Sequence, residues 1–156
     1  MRVALGSDHA GFALKESLKE TLRALGAEVD DLGTHDETSV DYVDYARRVG
    51  EEVARGAAER GIAICGTGIG MSIAANKVAG VRAALCHEGY SARHSREHND
   101  ANVLCLGARV IGKELAVEVV RVFLSSGFSG GRHRHRVEKI AALEDSTGGP
   151  GSPAPR

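Results

Sequence analysis

The chain has 156 residues, 42% of them hydrophobic, with 20 Lys and Arg against 21 Asp and Glu. That length suits one domain with a real core, and the apolar fraction excludes wholesale disorder. The near balance of charge argues against a general polyanion binder, nucleic acid included, and no apolar run approaches the length of a membrane span.

In chain order, short apolar runs alternate with longer amphipathic ones. RVALG (2–6) reads as a buried strand. Phe12, Leu14, Leu18, Leu22 and Leu25 then recur at helical spacing, up to a stop signal at Gly26. AEVDDLG is a second strand, and 41–56 a second helix. GIAIC is the third strand, and 71–77 falls in a third helix. VRAALC is the fourth strand, followed by a short helix over 90–98. NVLCLG is the fifth, followed by a long helix over 112–126. After the break GFSGG, 132–143 is helical again. Five strands alternating with helices predict an α/β fold, a parallel sheet covered on both faces. One domain is expected over 1–145, with a disordered Gly/Pro/Ser-rich tail over 146–156. The N-terminus carries no signal-peptide pattern. Three cysteines, an odd number with no CxxC pair, point to a reducing cytoplasm rather than a disulfide framework or a zinc knuckle.

In such sheets ligands bind beyond the carboxyl ends of the strands. That rule selects Ser7, Asp8 and His9; Gly33, Thr34 and His35; Cys65 to Gly70; His87 and Glu88; and Gly107 to Arg109. The stretch CGTGIGMSIAANK is the most telling. Gly66, Gly68 and Gly70 let the backbone approach a ligand, and the helix behind them presents unpartnered N–H groups. The loop is therefore an anion site, for a phosphate or for an oxyanion formed in a reaction. It is not a P-loop, which needs Gly-Lys where Met71 stands. It is not a dinucleotide fingerprint, because the third glycine comes one place early. It is not a cysteine phosphatase loop, which needs an arginine at Met71. A helix N-terminus favours a thiolate at Cys65, while burial opposes it. A tight turn with an inert buried cysteine is the plainer alternative.

Asp8 equally suits a helix N-cap, which leaves His9 unexplained; the pair together favours a site. HSREH (94–98) matches the H-x-x-E-H metalloprotease pattern, but the pattern is short and arises by chance. His94 is read as a surface residue, and His98 alone as an acid or base. In GGRHRHR (130–136), Arg132 and Arg136 share one helical face, with Arg134 pointing away. Two guanidinium groups there would clamp a phosphate, with Arg109 as a third.

The blocks GSDHAGF, DLGT, CGTGIGMSIAANK, HND with NVLCLGARVIG, and GGRHRHRV occur in an order and spacing that resemble ribose-5-phosphate isomerase type B, from Met1 to about Leu143. Galactose-6-phosphate and allose-6-phosphate isomerases belong to the same superfamily. The resemblance implies a Rossmann-like three-layer αβα sandwich with a five-stranded parallel sheet and a C-terminal helix. It implies a homodimer, sometimes paired into tetramers, with active sites between the subunits. The implied reaction interconverts ribose 5-phosphate and ribulose 5-phosphate, with no metal and no cofactor. One branch of the family uses the loop cysteine as base; the other has a serine at the position of Cys65 and a glutamate at that of Met71. This chain falls in the cysteine branch. Where the family often reads Asp-Tyr-Pro, this chain has Asp41-Tyr42-Val43, a change expected to touch helix entry more than chemistry.

On this resemblance Cys65 takes the proton from C2, and the N–H groups of Gly66, Gly68, Ile69 and Gly70 hold the enediolate. Thr67 moves protons between its oxygens. His98 and Asp8 open the sugar ring, and Asn99 holds substrate oxygens. Arg132 and Arg136 bind the phosphate with His9 and, from the partner subunit, Arg109. Tyr42 lines the pocket. Alternatives are a hexose 6-phosphate isomerase of the same mechanism and a non-catalytic sugar-phosphate-binding module.

Overall fold

In the computed structural model the described residues are 1–146; the expected tail lies outside them, except Ser146, which ends the last helix. Five strands, β1 (Arg2–Ser7), β2 (Glu28–Gly33), β3 (Arg60–Cys65), β4 (Ala83–Leu85) and β5 (Val103–Gly107), form one parallel sheet in the order β2-β1-β3-β5-β4. Six helices connect and extend them: α1 (Phe12–Ala24), α2 (Tyr42–Ala54), α3 (Ile69–Ala75), α4 (Gly89–Asn99), α5 (Lys113–Ser125) and α6 (Arg132–Ser146). A single 3-10 turn, His9–Gly11, leads into α1.

Alternation along the strands builds two cores. Val3, Leu5, Ile62, Ile64, Leu104 and Leu106 face α1, α4 and α5. Ala4, Ala63, Cys65, Val103 and Cys105 face α2 and α3. The three central strands are buried on both sides, as crossover helices require. The two edge strands depart from expectation. β2 carries polar residues at half-buried positions, and β4 shortens to three residues, all half-buried. An edge strand keeps one flank in contact with solvent, so it tolerates both. α3 starts two residues earlier than the sequence suggests, at Ile69, directly behind Gly68.

The strand order matters for the site. From β1 the chain leaves by α1 toward β2, and from β3 it leaves by α3, on the other face, toward β4, so the loops after β1 and β3 diverge and leave a crevice at the carboxyl edge. α4 then runs back from the carboxyl end of β4 to the amino end of β5. Its 11 residues span about 16 Å. α6 packs on α4. Among the described residues no helix is long and apolar enough to cross a membrane.

Candidate active site

The carboxyl edge gathers the first set of groups. Cys65 closes β3 and is buried, at 5% exposure. Its Sγ accepts a hydrogen bond from Gly68 N–H at 3.1 Å. This bond fixes the sulfur at the head of α3. Gly68 takes φ +76°, and a Cβ there would lie 2.8 Å from the Leu106 carbonyl carbon, so the turn that delivers the N–H to sulfur requires glycine. The other two thiols are different. Burial pushes the Cys86 thiol up. Burial, with Cys65 and Cys86 adding to it, pushes Cys105 far above an ordinary thiol. Both stay protonated and inert.

The neighbouring loops are tied to the glycine loop. Ala108 N–H donates to the Cys65 carbonyl and Arg109 N–H to the Gly66 carbonyl, both at 2.9 Å. The Arg109 side chain lies over Gly66 of its own chain. Within one chain Arg109 therefore lies beside the Cys65 loop. Thr67 is exposed, and its Oγ1 accepts from Ile69 N–H at 3.3 Å. The Tyr42 ring, from the first turn of α2, packs so closely on Gly70 that a Cβ there would fall 2.5 Å from it. Asp41 caps that helix by accepting from Val43 N–H at 2.9 Å. Val43 thus contributes a donor that a proline there would lack, and the effect stays at helix entry.

Asp8 and His9 stand across the crevice. Asp8 is 6% exposed, and its Oδ1 accepts from Gly11 N–H at 3.0 Å. The N-cap alternative is therefore realised, on a 3-10 turn. A carboxylate has acceptor capacity beyond that one bond. His9 Nδ1 accepts from Val40 N–H at 3.2 Å, which leaves Nε2 as the ring's donor.

The second set lies at the opposite edge. His98 and Asn99 form the last turn of α4. The Asn99 carbonyl accepts from Arg82 Nε, just ahead of β4, at 3.1 Å. His98 stacks on His133 of α6, with ring centroids 4.1 Å apart and planes 6° from parallel. Arg132 and Arg136 open α6 one helical turn apart and are exposed. Within one chain the structure therefore brings Asp8, His9, Tyr42, the Cys65 loop and Arg109 to the carboxyl edge, and His98, Asn99, Arg132 and Arg136 to the amino edge.

Three histidines do more than the sequence reading assigned them. His87 Nε2 accepts from Gly107 N–H at 3.1 Å, which ties the chain after β4 to the end of β5. Its place at a strand's carboxyl end was the available signal. Glu88, beside it, only caps α4. His133 was overlooked because its stretch was read for arginines. Burial, then His98, Arg132 and Arg136, lower it below an ordinary imidazole. The ring stacked on His98 is thus neutral at neutral pH. His94 is not a plain surface residue: it is half-buried, stacked on Tyr90, and edge-on to His98 at 4.5 Å.

The profile of the Ribose/Galactose Isomerase family matches residues 3–140. Ribose-5-phosphate isomerase B of Escherichia coli is 51% identical over 143 residues, which cover 92% of this chain and 96% of that protein. The solved ribose-5-phosphate isomerase B of Clostridium thermocellum superposes with a TM-score of 0.92 at 53% identity, covering 94% of this chain and 99% of that one. That of Mycoplasma genitalium, solved with bound ribulose 5-phosphate, gives 0.90 at 40% identity, covering 94% and 97%.

Proposed function

Because the chain belongs to the ribose/galactose isomerase family, we propose that it interconverts D-ribose 5-phosphate and D-ribulose 5-phosphate through an enediolate. The observation that carries this reading is the Gly68 N–H to Cys65 Sγ bond at the mouth of α3. It supports placing the base, Cys65, and the glycine loop in one turn. Cys65 takes the C2 proton and returns it to C1. N–H groups at the start of α3 hold the enediolate oxygens, and Thr67 carries a proton between them. His98 and Asp8 act on the ring oxygen and the anomeric hydroxyl, and Asn99 holds substrate oxygens. Arg132 and Arg136, with His9 Nε2, bind the phosphate, whose remote binding energy positions the reacting carbons. Arg109, beside Gly66, neutralises charge on the Cys65 side. None of these steps uses a metal or cofactor.

The active site in this proposal is shared by two copies of the chain in a homodimer. The separation of the two residue sets onto opposite edges of one sheet supports it, because no single chain completes the constellation. Ile69 and Ile73 of α3 and Ile140 of α6 are exposed apolar groups. A groove of about 760 Å³ between α6, α4 and β4 is lined by Asn99, Val81, Ile140 and Leu143. A second copy would cover these surfaces. A reducing cytoplasmic setting completes the proposal, since Cys65, Cys86 and Cys105 are all free thiols.

The test is turnover of ribose 5-phosphate against allose 6-phosphate, with chelator present, for wild type and Cys65→Ala. Chelator-resistant turnover preferring the pentose, lowered by about 10²–10⁴-fold in kcat by the substitution, is expected. A preference for the hexose would keep the mechanism and change the substrate. Full activity in Cys65→Ala would overturn the thiol base.

A further inference from the structure

The HSREH stretch has a geometry that the isomerase reading does not use. His94, Glu97 and His98 lie at i, i+3 and i+4 on α4. One ligand atom from each, an imidazole nitrogen or a carboxylate oxygen, falls within 4.8 Å of the others. All three are half-buried. His94 Nδ1 is 2.9 Å from the Tyr90 carbonyl. The nitrogen there must carry the proton, so Nε2 is the ring's free lone pair. A backbone carbonyl on the far nitrogen is the usual way a ligating histidine is oriented. Among the described residues, the Glu97 carboxylate has no hydrogen bond and no ion pair, although Arg93 is one turn away on the same helix. The trio sits in the last turns of α4, where the carbonyl end of the helix dipole favours a cation. Arg132 and Arg136 oppose one, and Glu97 offsets them.

We propose that His94, Glu97 and His98 form a site for a divalent transition metal of the zinc class, and that its occupation withdraws His98 from the isomerase reaction. Two imidazoles and a carboxylate are a ligand set zinc accepts, with bonds of about 2.0–2.2 Å and a fourth position open to water. Tetrahedral bonds of that length bring ligand atoms to about 3.4 Å of one another. Side-chain torsions supply the remaining approach. The metal would occupy the lone pair that His98 needs for proton transfer, so the ion would be an inhibitor and not a cofactor. The first half of the proposal stands on these three residues; the second rests on the isomerase role given to His98.

The experiment titrates the full-length, chelator-stripped protein with Zn²⁺ alone by calorimetry, for wild type, His94→Gln, Glu97→Gln, His135→Gln and Cys65→Ala. Circular dichroism confirms that each variant is folded. One ion per chain is expected in wild type, His135→Gln and Cys65→Ala. Binding should weaken in both His94→Gln and Glu97→Gln by at least about a hundredfold, since removing a ligand costs more than removing an outer-shell partner. Histidine ring ¹H–¹⁵N spectra should show the His94 and His98 resonances shifting together on saturation. Absence of binding, or binding that survives Glu97→Gln and disappears in Cys65→Ala or His135→Gln, would overturn the site. The activity arm compares Zn²⁺ inhibition in wild type and Glu97→Gln, each against its own metal-free rate. Inhibition in wild type alone is expected. A saturated site with no inhibition would refute the second half, and the role of His98 with it, while leaving the metal site intact.

Discussion

At the scale of single residues, the site depends on one backbone turn more than on any side chain except Cys65. Gly68 combines a φ of +76° with a Cβ position 2.5 Å from a Leu85 methyl and 2.8 Å from the Leu106 carbonyl carbon. Gly26 has almost the same φ, +77°, but nothing within 4 Å. The pair separates conformational strain from collision. Gly26→Ala should cost only the left-handed penalty, about 1–2 kcal/mol. That lowers Tm by about 2–4 °C per kcal/mol in a chain of this size and leaves kcat/KM alone. Gly68→Ala pays the same penalty and must also move the α3 turn off β5, which takes its N–H away from sulfur. It should lose more stability than Gly26→Ala and at least about tenfold in kcat, toward the loss expected for an oxyanion donor. Melting curves and steady-state kinetics on the two variants decide it. Equal kinetics would mean that the Gly68 N–H does nothing for the reaction at Cys65.

At the scale of elements, α1 is held to edge strand β2 by charge as well as by its leucines. Lys15 is fully buried, with Nζ 2.8 Å from both Asp31 oxygens and 2.6 Å from Glu16. Lys19 bridges the same two carboxylates. Burial alone would raise the Asp31 carboxyl, but the hydrogen bonds from Lys15, Lys19 and Gly33 N–H outweigh it and hold it below its ordinary value. A depressed carboxylate contributes stability that is complete above its unfolded value, about 3.9, and is lost as pH falls through the folded one. Asp31→Asn should therefore cost about 1.5–3 kcal/mol at pH 7, the range for losing a hydrogen bond to a charged group, because Lys15 keeps Glu16. The gap to wild type should begin to narrow below about pH 4, where the unfolded carboxyl takes up its proton, and should close only as pH falls through the lower folded value. Urea midpoints at pH 7 and pH 3.5 test this, and a gap that stays constant would remove Asp31 from the acid transition. This network also marks a limit of what the sequence discloses. Periodicity located every strand and helix, because the central strands and amphipathic faces are strongly patterned. The polar β2 and three-residue β4 were legible as elements but not as edges, since partner order is a three-dimensional property. Nothing in the helical spacing of α1 distinguishes a buried Lys15 from an exposed one.

At the scale of the whole molecule, the decisive fact is direction. In a parallel sheet each crossover helix carries the chain back from the carboxyl edge to the amino edge, so His98 at the end of α4 cannot share an edge with Cys65 at the end of β3. The sequence held that argument, because both residues and their elements were identifiable. What it lacked was the contact of α6 with α4, which joins Arg132, His133 and Arg136 to His98 rather than to the glycine loop. His94 was read as a surface residue and His133 was passed over for the same reason: their roles come from neighbours in space. If the proposed site is built from the Cys65 edge of one copy and the His98 edge of another, two dead variants must be able to rescue each other. Cys65→Ala spoils the first edge and His98→Gln the second. In a two-fold dimer containing one of each, one site combines both defects, and the other combines wild-type Cys65 with wild-type His98. Equal amounts, unfolded and refolded together, give half mixed dimers by random pairing, so about a quarter of all sites are intact. The mixture should recover about a quarter of wild-type turnover, with an unchanged KM, whereas simple mixing of the folded variants should recover it only as fast as subunits exchange. If co-refolding restores nothing while the mixed dimer is demonstrably present, each site lies within one chain, and the stacked His98 must reach Cys65 by a rearrangement of α4 and α6.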